Sequence, residues 1–127
     1  MARFFNITNR SLTSEQIADI KNEFGIDEVE IVKLNHVKIA PEAELSEVNN
    51  IAAFLMIIGE FAKGDVAMIQ TEASLMFCLV PALQQIGVRC VVATTRRKSA
   101  EKTLPDGSVV KTNVFKHVRF RDLPRIA

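Results

Sequence analysis

Short hydrophobic runs bounded by polar or glycine-containing segments predict four strands in the first three-quarters of the chain. They are Arg3–Thr8, Glu28–Leu34, Val66–Gln70 and Val88–Thr94. Their length and their content of β-branched and aromatic residues are typical of buried strands. Val88–Thr94 is rich enough in valine to be a central strand of a sheet.

Between these strands, apolar residues recur at intervals of three and four, which predicts three helices. The first follows Thr13, which fits a capping box with Gln16, and ends at Gly25. The second covers Ser46–Ala62 and is capped by its own first residue. The third, Glu72–Ile86, is apolar on nearly all sides, so we expect it to be buried on more than one side.

The last forty residues carry no helical pattern. Lys102–Leu104 and Ser108–Phe120 flank Asp106-Gly107, a pair typical of a two-residue hairpin turn. Strand and helix alternation followed by a hairpin predicts one α/β domain over residues 1–127. Its sheet is expected to be Rossmann-like, mostly parallel and flanked by helices, with an antiparallel C-terminal β-hairpin.

The fold class indicates where a ligand would bind. In sheets of this type, ligands lie outside the carboxyl ends of the strands, at a switch in strand order. The segments Thr8–Arg10, Gln70–Ser74 and Thr94–Arg97 follow three of the predicted strands. We therefore expect them to form a site, with a contribution from the hairpin.

The distribution of charge along the chain indicates which kind of ligand the protein binds. The chain has 127 residues, 48% of them apolar, and a formal charge of only +1. When the chain is divided after Gly87, the first part holds six basic and twelve acidic residues, and the second holds ten basic and three acidic ones. A basic region of this kind favours a phosphate-bearing ligand.

Several other classes of protein are disfavoured. Met1–Asn6 turns polar too soon for a signal peptide. The longest apolar tracts, Ile51–Gly59 and Leu75–Leu83, are shorter than the roughly 18–20 residues that span a bilayer, so we predict a soluble, cytoplasmic protein. Cys78 and Cys90 lack metal-ligand spacing and are predicted to be free, buried thiols. Because carboxylates are sparse at the predicted strand ends, we expect no metal.

Phosphate would have to be held by side chains. The five glycines form neither a dinucleotide-binding motif nor a P-loop, so we expect no nucleotide cofactor. Candidate hydroxyls and cations near the strand ends are Thr8, Thr94, Thr95, Arg96 and Arg97. The N-terminus of the third helix, near Ser74, is a further candidate anion site, because free N–H groups and the helix dipole favour negative charge there.

The basic segment Phe115–Arg121 has two interpretations. As a strand it would place His117, Arg119 and Arg121 on one face, and Lys116, Val118 and Phe120 on the other. These charges can simply protect a solvated edge strand. We favour a functional face, because histidine suits proton transfer near neutral pH and arginine suits bidentate phosphate contact. His36 falls in a predicted loop and is interpreted as incidental.

Three segments make the sequence resemble a known family: Val91–Arg97, Leu104–Lys111 and Val114–Arg121. They are similar to the small CRISPR-associated proteins of the Csx series, specifically the family numbered twenty. The likeness extends over the whole chain through Phe5-Asn6, Leu12–Ile17 and Val66–Gln70. The segment Gln70–Glu72 departs from the family's more glycine- and aspartate-rich pattern, which leaves the roles of Thr71 and Glu72 open.

The resemblance implies a CARF-like fold that forms a homodimer, binds cyclic oligoadenylate, and cleaves it as a ring nuclease. This ligand is the second messenger of type III CRISPR defence, and the ring of four adenylates is the expected form. It carries one negative charge per nucleotide, and a two-fold dimer would present two copies of a basic face to it. The apolar third helix is then either the dimer contact or simply buried against the sheet.

For this activity we hypothesise metal-independent transesterification, in which a ribose 2′-hydroxyl attacks the adjacent phosphorus and leaves a 2′,3′-cyclic phosphate. His117 would protonate the leaving 5′-oxygen or orient the 2′-hydroxyl. Arg96 and Arg119, with Arg97, would neutralise the phosphoryl oxygens. The expected ligand-binding residues are Thr8, Asn9, Gln70, Ser74, Thr95, Arg97 and Lys116.

Two alternatives belong to other classes of function. The same pocket could sequester cyclic oligoadenylate without cutting it, since binding and cutting use the same cations. The basic C-terminal third could instead serve an accessory protein that binds RNA, with an affinity that falls steeply as salt rises.

Overall fold

The predicted alternation of strands and helices is confirmed by the computed structural model, which describes residues 1–35 and 37–126. In chain order the elements are β1 Phe4–Thr8, α1 Ser14–Phe24, a 3₁₀ turn Glu28–Glu30, β2 Ile31–Lys33, α2 Leu45–Gly59, β3 Val66–Gln70, α3 Ala73–Gln85, β4 Arg89–Thr103 and β5 Val109–Asp122. The strands form a five-stranded sheet in the order β2-β1-β3-β4-β5. The first four are parallel, and β5 is antiparallel to β4. No helix within the described ranges is long and apolar enough to cross a bilayer.

Helices cover both faces of the sheet, and alternate residues of each strand fill two separate cores. Phe5 and Ile7 of β1 pack in the core with α2 and α3, whereas Phe4 packs in the core with α1. All three side chains are fully buried, and burial of each contributes about 1.5–3 kcal/mol. Because most of β3 is buried on both faces, it appears in the sequence as a continuous apolar run, whereas β1 buries two polar side chains, Asn6 and Thr8, among its apolar ones.

The chain leaves β1 and β3 toward opposite faces of the sheet. The two strands are neighbours, with Thr8 aligned to Gln70 at their carboxyl ends. α1 follows β1 and packs on one face, whereas α3 follows β3 and packs on the other. The two loops therefore diverge and leave a crevice between them, at the switch in strand order where a site was expected.

The N-cap predicted for α1 is confirmed, whereas the N-cap predicted for α2 is wrong. Thr13 Oγ1 accepts a hydrogen bond from the Gln16 amide at 3.1 Å, and Gln16 Oε1 accepts one from the Thr13 amide at 2.9 Å, so the capping box forms. α2 starts at Leu45, with Glu44 as its N-cap and no capping hydrogen bond from that side chain. The predicted cap at Ser46 is therefore wrong.

The second strand is shorter than predicted. Glu28–Glu30 forms a 3₁₀ turn, and β2 retains only Ile31–Lys33. Val29, which contributed to the apolar pattern of the predicted strand, is 87% exposed. A single exposed apolar residue thus extended the predicted strand beyond the buried part of the chain.

β4 and β5 form a ribbon that is much longer than the predicted hairpin. β3 pairs with β4 only as far as Val91, whereas β4 continues to Thr103, so the outer ribbon consists of two strands alone. Leu104 and Ser108 close the ribbon through a hydrogen bond between Leu104 N–H and Ser108 O at 2.8 Å. Three residues, Pro105–Gly107, form the loop, with Gly107 at a φ of 86°. The predicted two-residue turn is therefore wrong by one residue.

A β-bulge in this ribbon decides which way the basic residues point. Thr94 pairs with Arg119, but Thr95 pairs with His117, so Val118 is the extra residue. The bulge places His117 on the same face as Phe120, and their ring centroids are 4.8 Å apart. The predicted alternation, with His117 and Arg119 on one face, is therefore wrong.

Candidate functional site

A cavity of about 920 Å³ opens at the carboxyl ends of β1 and β3, beside the part of β4 that extends past β3. Ligand sites commonly have volumes of roughly 300–1,000 Å³, so the cavity is large enough for a nucleotide-sized ligand. We call it the cleft. Its wall combines the loop after β1, the end of β3 and one face of the ribbon, and is lined by Thr8, Asn9, Arg10, Ser11, Thr13, Gln16, Met68, Gln70, Thr71, Met76, Val92, Ala93, Thr95, Phe115 and His117.

The loop after β1 is held by a buried network of polar groups. Asn6 Nδ2 donates to Arg10 O at 2.8 Å, and the Thr8 hydroxyl lies 2.7 Å from Asn6 Oδ1. The Thr8 oxygen also accepts a hydrogen bond from the Arg10 amide at 3.1 Å. Thr8, predicted as a ligand contact, is only 5% exposed, so its hydroxyl shapes the loop that carries Asn9 and Arg10.

Lys33 places a positive charge beneath the same loop. Its Nζ donates to Thr8 O and, at 2.9 Å, to Arg10 O. Desolvation lowers the pKa of the Lys33 ammonium below its usual value. The carbonyls of Thr8 and Arg10 are therefore both bound by the Lys33 ammonium, which fixes the backbone of the loop after β1.

His117 is the buried titratable side chain in the cleft wall. Its side chain is 5% exposed, and its Nε2 lies 2.8 Å from Oδ2 of Asp19 in α1. Within the described residues, His117 Nδ1 is the one buried side-chain nitrogen or oxygen without a hydrogen-bond partner. An imidazole that is hydrogen-bonded through one ring nitrogen, and has no partner on the other, can exchange a proton with a ligand through the second nitrogen.

The N-terminus of α3 is already occupied by the chain's own carboxylate. Glu72 is the N-cap, and its side chain accepts hydrogen bonds from the amides of Ser74, at 2.9 Å, and of Leu75, at 3.3 Å. The Ser74 hydroxyl also bonds to Glu72, and the bonds from Ser74 are the main cause of the lowered pKa of the Glu72 carboxyl. The predicted anion site near Ser74 is therefore wrong, and Ser74 does not line the cleft.

The ribbon places the predicted cations on different faces. Arg119 pairs with Thr94, and Arg96 directly follows Thr95 in β4, so both arginines lie on the face away from Thr95 and His117. Neither Arg96 nor Arg119 lines the cleft. Both were expected to be catalytic, but the strand alternation of β4 turns Arg96, and the bulge in β5 turns Arg119, to the face opposite His117.

The remaining predicted residues divide between the cleft and its rim. Asn9, Gln70 and Thr95 line the cleft as expected, and Gln70 Nε2 donates to Ala93 O at 3.4 Å. Arg97 pairs with Phe115 and shares the face of His117, although it lies outside the cavity wall. The Lys116 ammonium is 3.5 Å from the Glu15 carboxylate, so part of its charge is compensated.

Sequence reasoning missed Asp19, Lys33 and Phe115. Asp19 lies 98 residues before His117, and no local pattern relates two residues so far apart. Phe115 opens the basic segment Phe115–Arg121 but was assigned no role, and it lines the cleft with 63% of the residue exposed. The position of Lys33 at the end of a strand next to β1 was the one available signal, since strand ends were already the expected site.

Within the described ranges, no group of three or more His, Cys, Asp or Glu residues could hold a metal ion. The two thiols are free; Cys90 is buried as predicted, whereas Cys78 is half-buried. Burial raises the pKa of the Cys90 thiol to about 12. The interpretation of His36 concerns a residue outside the described ones.

Comparison with known proteins identifies a family without identifying an activity. The model of the Uncharacterized protein MJ1673 family matches residues 2–121. No curated protein and no solved structure matches the chain. The chain therefore belongs to the MJ1673 family.

Proposed function

We propose that this member of the MJ1673 family is a ring nuclease that binds cyclic oligoadenylate in the cleft and opens it without a metal ion. The observation that carries the proposal is His117, whose side chain is 5% exposed and whose Nδ1 is buried without a partner in the wall of a nucleotide-sized cavity. An unsatisfied buried polar group costs about 1–3 kcal/mol. A ligand that hydrogen-bonds to His117 Nδ1 would remove this cost.

The proposed reaction balances within the substrate. The ribose O2′ forms a bond to phosphorus while the bond from phosphorus to O5′ breaks, leaving a 2′,3′-cyclic phosphate and a 5′-hydroxyl. The 2′-hydroxyl loses one proton and O5′ gains one. Because the nucleophile already belongs to the substrate, positioning and proton transfer by His117 supply much of the rate.

The ligand contacts follow from the cleft wall. Arg10 and Arg97 supply positive charge for the phosphates, one from the loop after β1 and one from the ribbon face that carries His117. Asn9, Gln70 and Thr95 offer hydrogen bonds to phosphate and adenine. Arg96 and Arg119 take no part within the same chain in this proposal.

A homodimer in the cytoplasm is part of the proposal. A cyclic ligand repeats its geometry, so two copies of the cleft related by a two-fold axis match it. Exposed apolar residues on two neighbouring helices support a dimer contact: Ile57 of α2 is 73% exposed and Phe77 of α3 is 66% exposed. Measurement of the molar mass in solution by light scattering tests this part, and a monomer at micromolar concentration with ligand bound would contradict it.

The decisive experiment is incubation of the protein with cyclic tri-, tetra- and hexa-adenylate in EDTA, followed by separation of the products. Linear products ending in a 2′,3′-cyclic phosphate, foremost from the tetra-adenylate, are the expected result. Intact ring that co-elutes with the protein would replace the nuclease by a protein that only sequesters the messenger. Intact ring that does not bind would overturn the proposal.

A second candidate function, RNA binding, is favoured by the outer ribbon. Its face opposite the cleft carries Arg96, Lys98 and Arg119, a row of cations that can follow the phosphates of an RNA strand. RNA binding would grow with strand length and weaken steeply with salt. Titration with RNA of increasing length at several salt concentrations separates it from binding of a small ring.

A further inference from the structure

We infer that Asp19 is a positioning residue that makes Nδ1 of His117 the proton acceptor of the cleft. This inference rests on the proposed function and decides between the two roles open to His117, protonating O5′ and receiving the proton of the 2′-hydroxyl. It assigns the second role. Asp19 acts through His117 and does not itself line the cleft.

The assignment follows from the hydrogen-bonding capacities of the two groups. An ionised carboxylate only accepts, so the 2.8 Å contact between Asp19 Oδ2 and His117 Nε2 requires the hydrogen to be on Nε2. A neutral imidazole carries one hydrogen, which leaves Nδ1 with a free lone pair. The third group of a catalytic triad selects a histidine tautomer in the same way.

Packing holds this arrangement. The His117 ring lies 4.8 Å from the Phe120 ring, and its side chain is 5% exposed. The bulge at Val118 places His117 opposite Thr95, on the face that α1 covers. The two ring nitrogens therefore have different neighbours: Nε2 contacts α1, and Nδ1 has no partner among the described residues.

A free lone pair on Nδ1 can be satisfied only by a ligand that donates a hydrogen bond. A phosphate oxygen is itself an acceptor and cannot satisfy neutral Nδ1, whereas a hydroxyl can donate to it. A ligand that satisfies Nδ1 must therefore present a hydroxyl beside its phosphate, as a ribose 2′-hydroxyl does. A 2′-deoxy ring would bind through its phosphate and base contacts alone and leave Nδ1 without a partner. When the proton of the 2′-hydroxyl moves to Nδ1, Asp19 stabilises the imidazolium. O5′ takes a proton from water, and the hydroxide left behind takes the proton from Nδ1, which restores neutral His117.

The electrostatic surroundings of His117 come from four elements. α1 contributes Asp19 and Glu15, the latter 3.5 Å from Lys116 of β5. The loop after β1 contributes Arg10, and β4 contributes Arg97 on the same ribbon face. Asp19 is the group among them in direct contact with the ring through an oxygen, so its removal should have the largest effect on which ring nitrogen of His117 carries the hydrogen.

The test compares Asp19→Asn and Asp19→Glu with a matched control, Asp27→Asn. Asp27 pairs with Lys21 just beyond α1 and lies outside the cleft. We expect single-turnover cleavage of cyclic tetra-adenylate by D19N to fall by about 100-fold, with partial recovery in D19E and no change in D27N. The limb of the pH–rate profile on the acid side, which reports the base, should shift in D19N. Affinity for the 2′-deoxy ring, which binds and is not cut, should change by less than about threefold, because Asp19 is outside the cleft.

Two kinetic results would overturn the inference. One is a D19N rate within about threefold of the wild type, since loss of a carboxylate that selects the tautomer of a catalytic histidine can cost up to about 10⁴-fold. The other is a slower D19N enzyme whose pH–rate profile is unchanged, which is the behaviour of a purely structural residue.

A second measurement does not depend on the folding of any variant. Nitrogen-15 NMR of the wild-type protein reports which ring nitrogen of neutral His117 carries hydrogen. Hydrogen on Nε2 is expected, and hydrogen on Nδ1 would overturn the inference whatever the activity. Hydrogen on Nε2 in a protein that neither binds nor cuts the ring would overturn the proposed function and the base role, while the arrangement of Asp19 and His117 would stand.

Discussion

Arg89 and Asp122 join the two strands at the base of the ribbon through a bidentate ion pair. Arg89 Nε donates to Asp122 Oδ1 at 2.6 Å, and Nη2 donates to Oδ2 at 3.0 Å. The pair lies where β4 leaves the body of the sheet, beside the alignment of Val91 with Asp122. It therefore ties the start of the ribbon, and with it the position of His117, to the sheet.

This pair predicts a dependence of stability on pH. The hydrogen bond from Arg89, reinforced by the charges of Arg89 and Arg119, lowers the pKa of the Asp122 carboxyl. A depressed pKa stabilises the folded state above the ordinary carboxyl pKa, and this stability is lost as the pH falls through the folded-state pKa. Because both side chains are about half exposed, the contribution is about 0.5–1 kcal/mol.

Urea unfolding at a series of pH values from 7 downward measures the effect. Asp122→Asn should lower the free energy of unfolding at pH 7, and the difference from the wild type should shrink as the pH falls below the ordinary carboxyl pKa and through the lowered pKa of folded Asp122. Asp27→Asn serves as the control for an exposed ion pair. An equal loss at every pH of the series would show that the charge of Asp122 does not contribute.

Replacement of His117 by alanine should slow cleavage far more than it weakens binding. Loss of a group that transfers a proton typically costs 10²- to 10⁴-fold in rate, whereas the phosphate contacts of Arg10 and Arg97 remain. Single-turnover rates and equilibrium binding of cyclic tetra-adenylate measure the two effects separately. Ser99→Ala, on the same ribbon face but outside the cleft wall, is the control. Equal turnover by H117A would remove His117 from the mechanism.

Arg10→Ala and Arg96→Ala should differ, although each removes one positive charge. Arg10 lines the cleft, so its loss should weaken ring binding at least about tenfold, as expected for a hydrogen bond to a charged group. Arg96 lies on the opposite ribbon face, so its loss should change ring binding by less than about twofold. Calorimetric titration at fixed salt provides the comparison. A larger effect of R96A would indicate that the ribbon face, and not the cleft, holds the ligand.

The two cysteines should differ in reactivity. The pKa of the Cys90 thiol is raised to about 12 because the thiol is desolvated, so at pH 8 only about one molecule in ten thousand carries the thiolate that reacts. Cys78 is half-buried, and its Sγ donates to Asn49 Oδ1 at 3.1 Å. Iodoacetamide at pH 8, followed by mass spectrometry, should add one group to the folded protein and none to Cys78→Ser. Rapid labelling of Cys90 in the folded state would contradict its burial.

Elements whose signals are local could be predicted from the sequence. The order of strands and helices follows from hydrophobic periodicity, since β1 and β3 must bury both faces and α1 only one. The capping box of Thr13 and Gln16 involves backbone and side-chain atoms three residues apart. The strand-end location of the cleft needs only the fold class, because carboxyl ends of parallel strands share one edge.

Features that depend on distant or competing contacts could not be predicted. The Glu72 carboxylate caps the N-terminus of α3 because Glu72 directly precedes the helix. The sequence alone did not show that this carboxylate, and not a bound anion near Ser74, accepts from the free N–H groups. The ribbon extends to Thr103 because β5 pairs with β4 along its length, although the segment after Thr94 loses its apolar pattern. Backbone pairing, unlike burial, leaves no hydrophobic signature.

The sequence by itself determined an α/β protein with a basic C-terminal third and a site at the strand ends, because periodicity and charge are properties of neighbouring residues. Only the tertiary structure decided which basic residues face that site. One extra residue, Val118, reverses the side-chain alternation of β5 between His117 and Arg119. The bulge turns His117 toward Asp19 of α1 and Arg119 away, and a contact across 98 residues exists only once the sheet has formed.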